Sequence, residues 1–141
     1  MNTTRAAALL AITLLIGVTW GMAGVPKLLS GGVPPWFEGT FGQTVLASFP
    51  GLWASFYSIA VFETLLALGA IGALLRGEFL PGRTPSWLAA TLAGSLFVFL
   101  QLGFGKRLVA DHDDAAKLFV YFAGTLVMLW YVTSSGGERR S

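Results

Sequence analysis

Residues Leu52–Leu75 read LWASFYSIAVFETLLALGAIGALL, an apolar run with a single charged side chain, Glu63, near its middle. As a helix rising ~1.5 Å per residue the run extends roughly 36 Å, enough to cross a bilayer. An unpaired carboxylate at such a depth costs on the order of 2.5–3.5 kcal/mol, by analogy with the aspartate value. The surrounding Leu, Ile, Val and Phe residues offset that cost, so the helix still inserts. The acid then needs a partner, a proton or a water-filled pocket, and any function within the membrane is expected to involve it.

Composition extends this reading to the whole chain. Hydrophobic residues make up 55% of the 141, charged residues 11%, and the mean hydropathy is +0.70. A soluble domain carries about 25% charged residues, so this chain lacks the means to cover a water-facing surface. The net charge of +2 and pI near 9.3 arise from basic residues scattered at the ends of apolar runs, which argues against a nucleic-acid surface. Cysteine is absent, which excludes a dithiol motif, a thiolate metal site and a disulfide.

Three further apolar runs, at about 6–28, 86–104 and 115–133, approach or exceed the ~18–20 residues that a membrane helix needs. The expected architecture is an all-α integral membrane bundle of four transmembrane helices, one domain over 1–141 with a frayed tail at 134–141. Trp53, Trp87 and Trp130 fall near run ends, as an interfacial aromatic belt would place them. Arg5 and the apolar stretch after it, with small residues at Gly21–Gly24, also have the form of a secretory signal; the expectation adopted is a retained first span.

Orientation follows the basic residues. Arg5, Arg76, Arg83, Arg139 and Arg140 share one side; Lys27, Lys106, Arg107 and Lys117 share the other. This bias places both termini in the cytoplasm; the membrane is expected to be a bacterial-type inner membrane. The loop at 76–85, with Gly77, Pro81, Gly82 and Pro85, is turn-like and makes the second and third spans antiparallel neighbours. The first outer loop, 29–51, is long for a helix connection, and its Pro34, Pro35, Trp36 and the patch from Phe41 to Phe49 predict an interfacial or re-entrant element.

Gly17, Gly21 and Gly24 form a small-residue face on the first span. Ala60, Ala67 and Ala70 share a face with Glu63 on the second, so Glu63 is expected to face a helix and not lipid. Lys27, Gln101, Lys106 and Arg107 gather at the outer end of the bundle, above or beside Glu63. They outline a pocket with a carboxylate at its floor, an amide on its wall and cations at its mouth. Such a pocket suits a polar head on an apolar body, such as a quinone. The alternatives are that Glu63 is a packing device and that Lys27 snorkels to the head groups.

Asp111, His112, Asp113 and Asp114 precede the last span. Asp caps helix N-termini and complements the dipole there, and Asp113 and Lys117 are spaced as an i,i+4 pair. A lone His without Cys leaves a transition-metal site short of ligands, so no metal is expected.

The stretch Gly21–Met22–Ala23–Gly24–Val25–Pro26–Lys27–Leu28 resembles the G-x-x-K-L signature closing the first helix of DoxX-like proteins. Phe62–Glu63–Thr64–Leu65–Leu66–Ala67–Leu68–Gly69, with Arg76 beyond it, looks like that family's acid-then-glycine second helix. Gly105–Lys106–Arg107, then Asp111 to Phe119 and Tyr121, is similar to its entry into the last helix. The resemblance implies a four-helix membrane protein of the DoxX/DoxD/MauE type, associated with redox work at the membrane, with Lys27 and Glu63 as site positions.

The chain is therefore expected to be a redox-associated small membrane subunit holding a quinone or similar lipophilic molecule near Glu63. Lys27, Gln101 and Arg107 would be its polar partners, and electrons would come from another protein. It reads as an accessory subunit more readily than a complete enzyme. The alternative is a structural subunit of a larger respiratory or photosynthetic complex. Its expected partners are the lipid bilayer and other membrane or membrane-associated subunits, with no nucleic acid.

Overall fold

The computed structural model describes residues 3–134. Its elements in chain order are α1 (Thr3–Leu28), α2 (Pro35–Phe41), α3 (Val45–Ser48), α4 (Leu52–Leu75), α5 (Ser86–Leu108) and α6 (His112–Ser134). α1, α4, α5 and α6 are the four helices long and apolar enough to cross a membrane, and they form a bundle. The expected tail at 134–141 lies outside the described residues from position 135 on.

The bundle is built outward from one close helix pair. α1 packs on α4, α4 on α5, and α5 on α6. In the first pair the glycine face meets the alanine face. A Cβ placed on Gly17 would lie 3.4 Å from that of Ala70, and one on Gly21 would lie 3.8 Å from that of Ala67. At Gly24 a Cβ would come within 2.7 Å of the Thr64 backbone nitrogen and 2.9 Å of the Glu63 Cβ. Dispersion between closely spaced backbones drives such association in lipid, where water contributes nothing between helices.

The core joins all four long helices: Leu9, Ile16 and Trp20 of α1, Ala67 and Ala70 of α4, Leu88, Leu92 and Phe99 of α5, and Val132 of α6. Trp20 reaches across it, donating from Nε1 to Ser95 Oγ at 2.8 Å. The outer faces carry large exposed apolar residues, among them Leu65, Leu75, Phe97, Phe119, Val127 and Trp130. In a bilayer these face acyl chains.

The third span is longer than the sequence-based boundary at 104. α5 continues through Gly105 to Leu108, carrying Lys106 and Arg107 in its last turn, where cations complement the helix dipole. The chain turns at 109–111, with Ala110 at φ 57, a left-handed conformation uncommon outside glycine. The last span starts three residues earlier than 115, at His112. Asp111 caps it, its Oδ1 accepting from the Asp114 N–H at 3.1 Å.

The expected interfacial element resolves into α2 and α3, both packed on α4. Pro35 opens α2, where its missing N–H has no intrahelical role. Phe37 and Phe41, one turn apart, lay their rings against Phe56 of α4 as a second, separate core.

The loop at 76–85 contains a buried acid that the sequence did not single out. Glu78, 3% exposed, accepts from the Trp87 N–H at Oε1 and the Leu88 N–H at Oε2, both at 2.9 Å. Pro85, in the N-cap position, supplies no side-chain cap, and Glu78 takes over that task from within the preceding turn.

Candidate functional site at the loop end of the bundle

α1 ends, α4 begins, α5 ends and α6 begins at the same end of the bundle, beneath α2. Between them lies a cavity of about 530 Å³, within the roughly 300–1,000 Å³ usual for ligand pockets. Trp36, Phe37 and Phe41 of α2 and Phe56 of α4 cover it from one side. The Phe37 and Phe56 rings lie 5.1 Å apart, edge to face, and Phe37 and Phe41 lie 4.7 Å apart. Leu102 and Phe104 of α5 and Leu118 and Tyr121 of α6 form the facing wall. Phe104 and Tyr121 are each more than half exposed, so the cavity has an open side next to α5 and α6.

Polar groups are few and lie at defined places. Lys27 lines the cavity, and its Nζ donates to Glu63 Oε2 at 2.6 Å. Glu63 itself is 1% exposed and does not line the cavity. The carboxylate thus sits behind the lysine, not at the cavity floor, because the close approach at Gly24 seals α4 against α1 at that height. Gln101 and Ser58 form the second polar point: Gln101 Nε2 donates to Ser58 Oγ at 3.2 Å, and the Ser58 hydroxyl donates to the Ser55 carbonyl at 3.0 Å. The Gln101 side-chain oxygen has no partner among the described residues.

Lys106, Asp114 and Lys117 line the edge of the cavity. Lys106 Nζ bridges Asp111 at 3.0 Å and Asp114 at 2.8 Å, tying the end of α5 to the start of α6. Lys117 pairs with Asp114 at 2.9 Å, an i,i+3 contact, in place of the Asp113 partner that its spacing offered. Asp114 wins because it already faces Lys106 across the turn.

Arg107 is not part of the cavity. It is exposed, with a guanidinium nitrogen 3.3 Å from His112 Nδ1. Helical continuation through Leu108 explains this: each residue turns the helix by about 100°, so Lys106 facing inward carries Arg107 outward. Of the residues expected at the site, Lys27, Gln101 and Lys106 meet there, Glu63 stands behind Lys27, and Arg107 points away. Ser58 and the rings of Phe37, Phe41 and Phe56 complete it. The spacing of Phe37 and Phe41 on α2 was the one available signal for them.

Chemically, the site offers a cation whose charge is already balanced, an amide oxygen free to accept, and a wall of aromatic rings. It can hold an amphiphile and orient its head by hydrogen bonds. Comparison of the chain with family models, with curated proteins and with solved structures gives no match.

Proposed function

We propose that this protein is a DoxX-like, redox-associated accessory subunit of a bacterial-type inner membrane, and that it holds a quinone or a similar lipophilic molecule at the loop end of its bundle. The carrying observation is the aromatic-walled cavity with Lys27 and the Gln101–Ser58 pair on its polar side. A ring-shaped head with carbonyl or hydroxyl oxygens accepts from the Lys27 ammonium and donates to the Gln101 oxygen, while its tail leaves through the open side by Phe104 and Tyr121. Glu63 neutralises and fixes Lys27, so the head meets a directional donor and no net charge. With both termini in the cytoplasm, the cavity lies in the outer leaflet and electrons come from a partner protein on that face.

A structural role draws support from Glu63 itself, packed dry against the backbone of α1 at Gly24. Gentle purification from native membrane, followed by solvent extraction and mass spectrometry, separates the two. The binding reading expects a near-stoichiometric lipophilic molecule in the wild type, lost when the cavity-lining Ile59 is enlarged in Ile59→Trp, and reduced in Gln101→Leu. Equal retention in wild type and Ile59→Trp, or bulk lipids alone in both, would leave the structural role.

A further inference from the structure

The opposite end of the molecule carries a second feature, independent of the cavity. Arg76, Arg83, Thr84 and Ser86 surround an open polar cleft at the turn between α4 and α5. Ser86 also borders an apolar groove that runs down the seam of the same two helices, lined by Leu65, Leu66, Trp87, Ala90 and Thr91. The cleft and the groove meet at Ser86, at the level where the chain leaves the apolar span.

The cleft carries two guanidinium groups and one carboxylate, and the carboxylate is already committed. Both oxygens of Glu78 accept from the first backbone N–H groups of α5, and Oε1 also accepts from the Ser86 hydroxyl at 3.3 Å. Arg76 is exposed and only 3.8 Å from Glu78, with its guanidinium over the Trp87 ring at 5.7 Å. Arg83 is exposed and has no ion-pair partner among the described residues. Arginine binds phosphate oxygens in pairs through its planar fork. The cleft therefore carries net positive charge on two side chains of a type that binds phosphate, next to an apolar groove that shares Ser86 with it.

We propose that this end of the bundle binds one anionic diacyl phospholipid, with its phosphate between Arg76 and Arg83 and an acyl chain in the groove over Trp87, Ala90 and Thr91. A free phosphate would use the arginines but leave the groove without purpose. A zwitterionic lipid would fill the groove but bring its own cation to the arginines. Charge in the cleft and apolar surface beneath it together select the anionic lipid.

The test uses the full chain, delipidated in a neutral detergent and titrated with phosphatidylglycerol, phosphatidylcholine or glycerol 3-phosphate, read by native mass spectrometry and thermal shift. The wild type should bind one phosphatidylglycerol, with phosphatidylcholine at least tenfold weaker and glycerol 3-phosphate giving no shift. Arg83→Gln should weaken phosphatidylglycerol about fivefold, and Arg76→Gln with Arg83→Gln roughly 25-fold, at about 1 kcal/mol per basic residue near the surface. The exposed Arg83 side chain has no hydrogen bond or ion pair among the described residues, so that single variant decides the matter if the double variant does not fold. Equal binding of the two lipids, unchanged binding in Arg83→Gln, or a soluble phosphate matching the lipid would each overturn the proposal.

Discussion

Lys27 and Glu63, 36 residues apart in sequence, form a 2.6 Å ion pair in which the lysine side chain is 25% exposed and the glutamate side chain 2%. The pair is asymmetric: the cavity touches the cation, and the bundle interior holds the anion. The cost of placing a carboxylate in the second span is thereby met by the first.

Removing one partner should cost more than removing both. Lys27→Met strands a buried carboxylate and should destabilise by about 3 kcal/mol, at the lower end for buried pairs because the lysine is partly wet. The double variant Lys27→Met, Glu63→Leu should recover at least half of that. Reversible unfolding in mixed micelles measures the cycle. Strictly additive losses would show that the pair contributes no coupling.

Glu78 should matter more than its place in a turn implies. Glu78→Ala leaves the first N–H groups of α5 unsatisfied beneath the surface and should cost about 1–3 kcal/mol. Arg76→Gln, which removes an exposed 3.8 Å contact with the same acid and a cation–π contact with Trp87, should cost less than about 1 kcal/mol. Equal effects of the two substitutions would remove the capping role.

Two glycines on membrane helices should respond oppositely to an added methyl group. Gly24→Ala drives a Cβ into the Thr64 backbone, so α1 must move away from α4, at about 1–3 kcal/mol with a weakened Lys27–Glu63 contact. Gly103→Ala meets nothing within 4 Å and should be neutral or stabilising by up to about 1 kcal/mol. Thermal unfolding of both variants in one detergent checks the contrast.

Trp20→Phe keeps an aromatic ring but removes the N–H donor to the fully buried Ser95 and part of the buried indole volume. The hydrogen bond accounts for about 1 kcal/mol of the loss, the scale of interhelical hydrogen bonds in membranes. A loss well above 2 kcal/mol would point to the indole's packing against Phe99, 4.9 Å away, and not to the bond.

Much of the fold was legible in the residues because the bilayer imposes a length and a polarity on every spanning helix. The boundaries of α4 at Leu52 and Leu75 match the sequence reading, and the small-residue faces of α1 and α4 each pack on a helix as their spacing anticipates; the fold pairs the two faces with each other. α5 runs four residues past the end of the apolar run at 104, because helical hydrogen bonding continues through the polar Lys106 and Arg107. Within that extension, Gly105 is where α5 comes close to the Phe41 ring, with a Cβ there 3.5 Å from it.

Four apolar helices with an acid in the second are written in hydropathy and helical period, which are local properties of each segment. The cation that reaches that acid, the inward turn of Lys106 and not Arg107, and the closing of α5 by Glu78 from the preceding loop emerge from the packed bundle. Those outcomes depend on the rotation and approach of helices about each other. Side-chain packing at a few close contacts sets that rotation, and no single segment carries it.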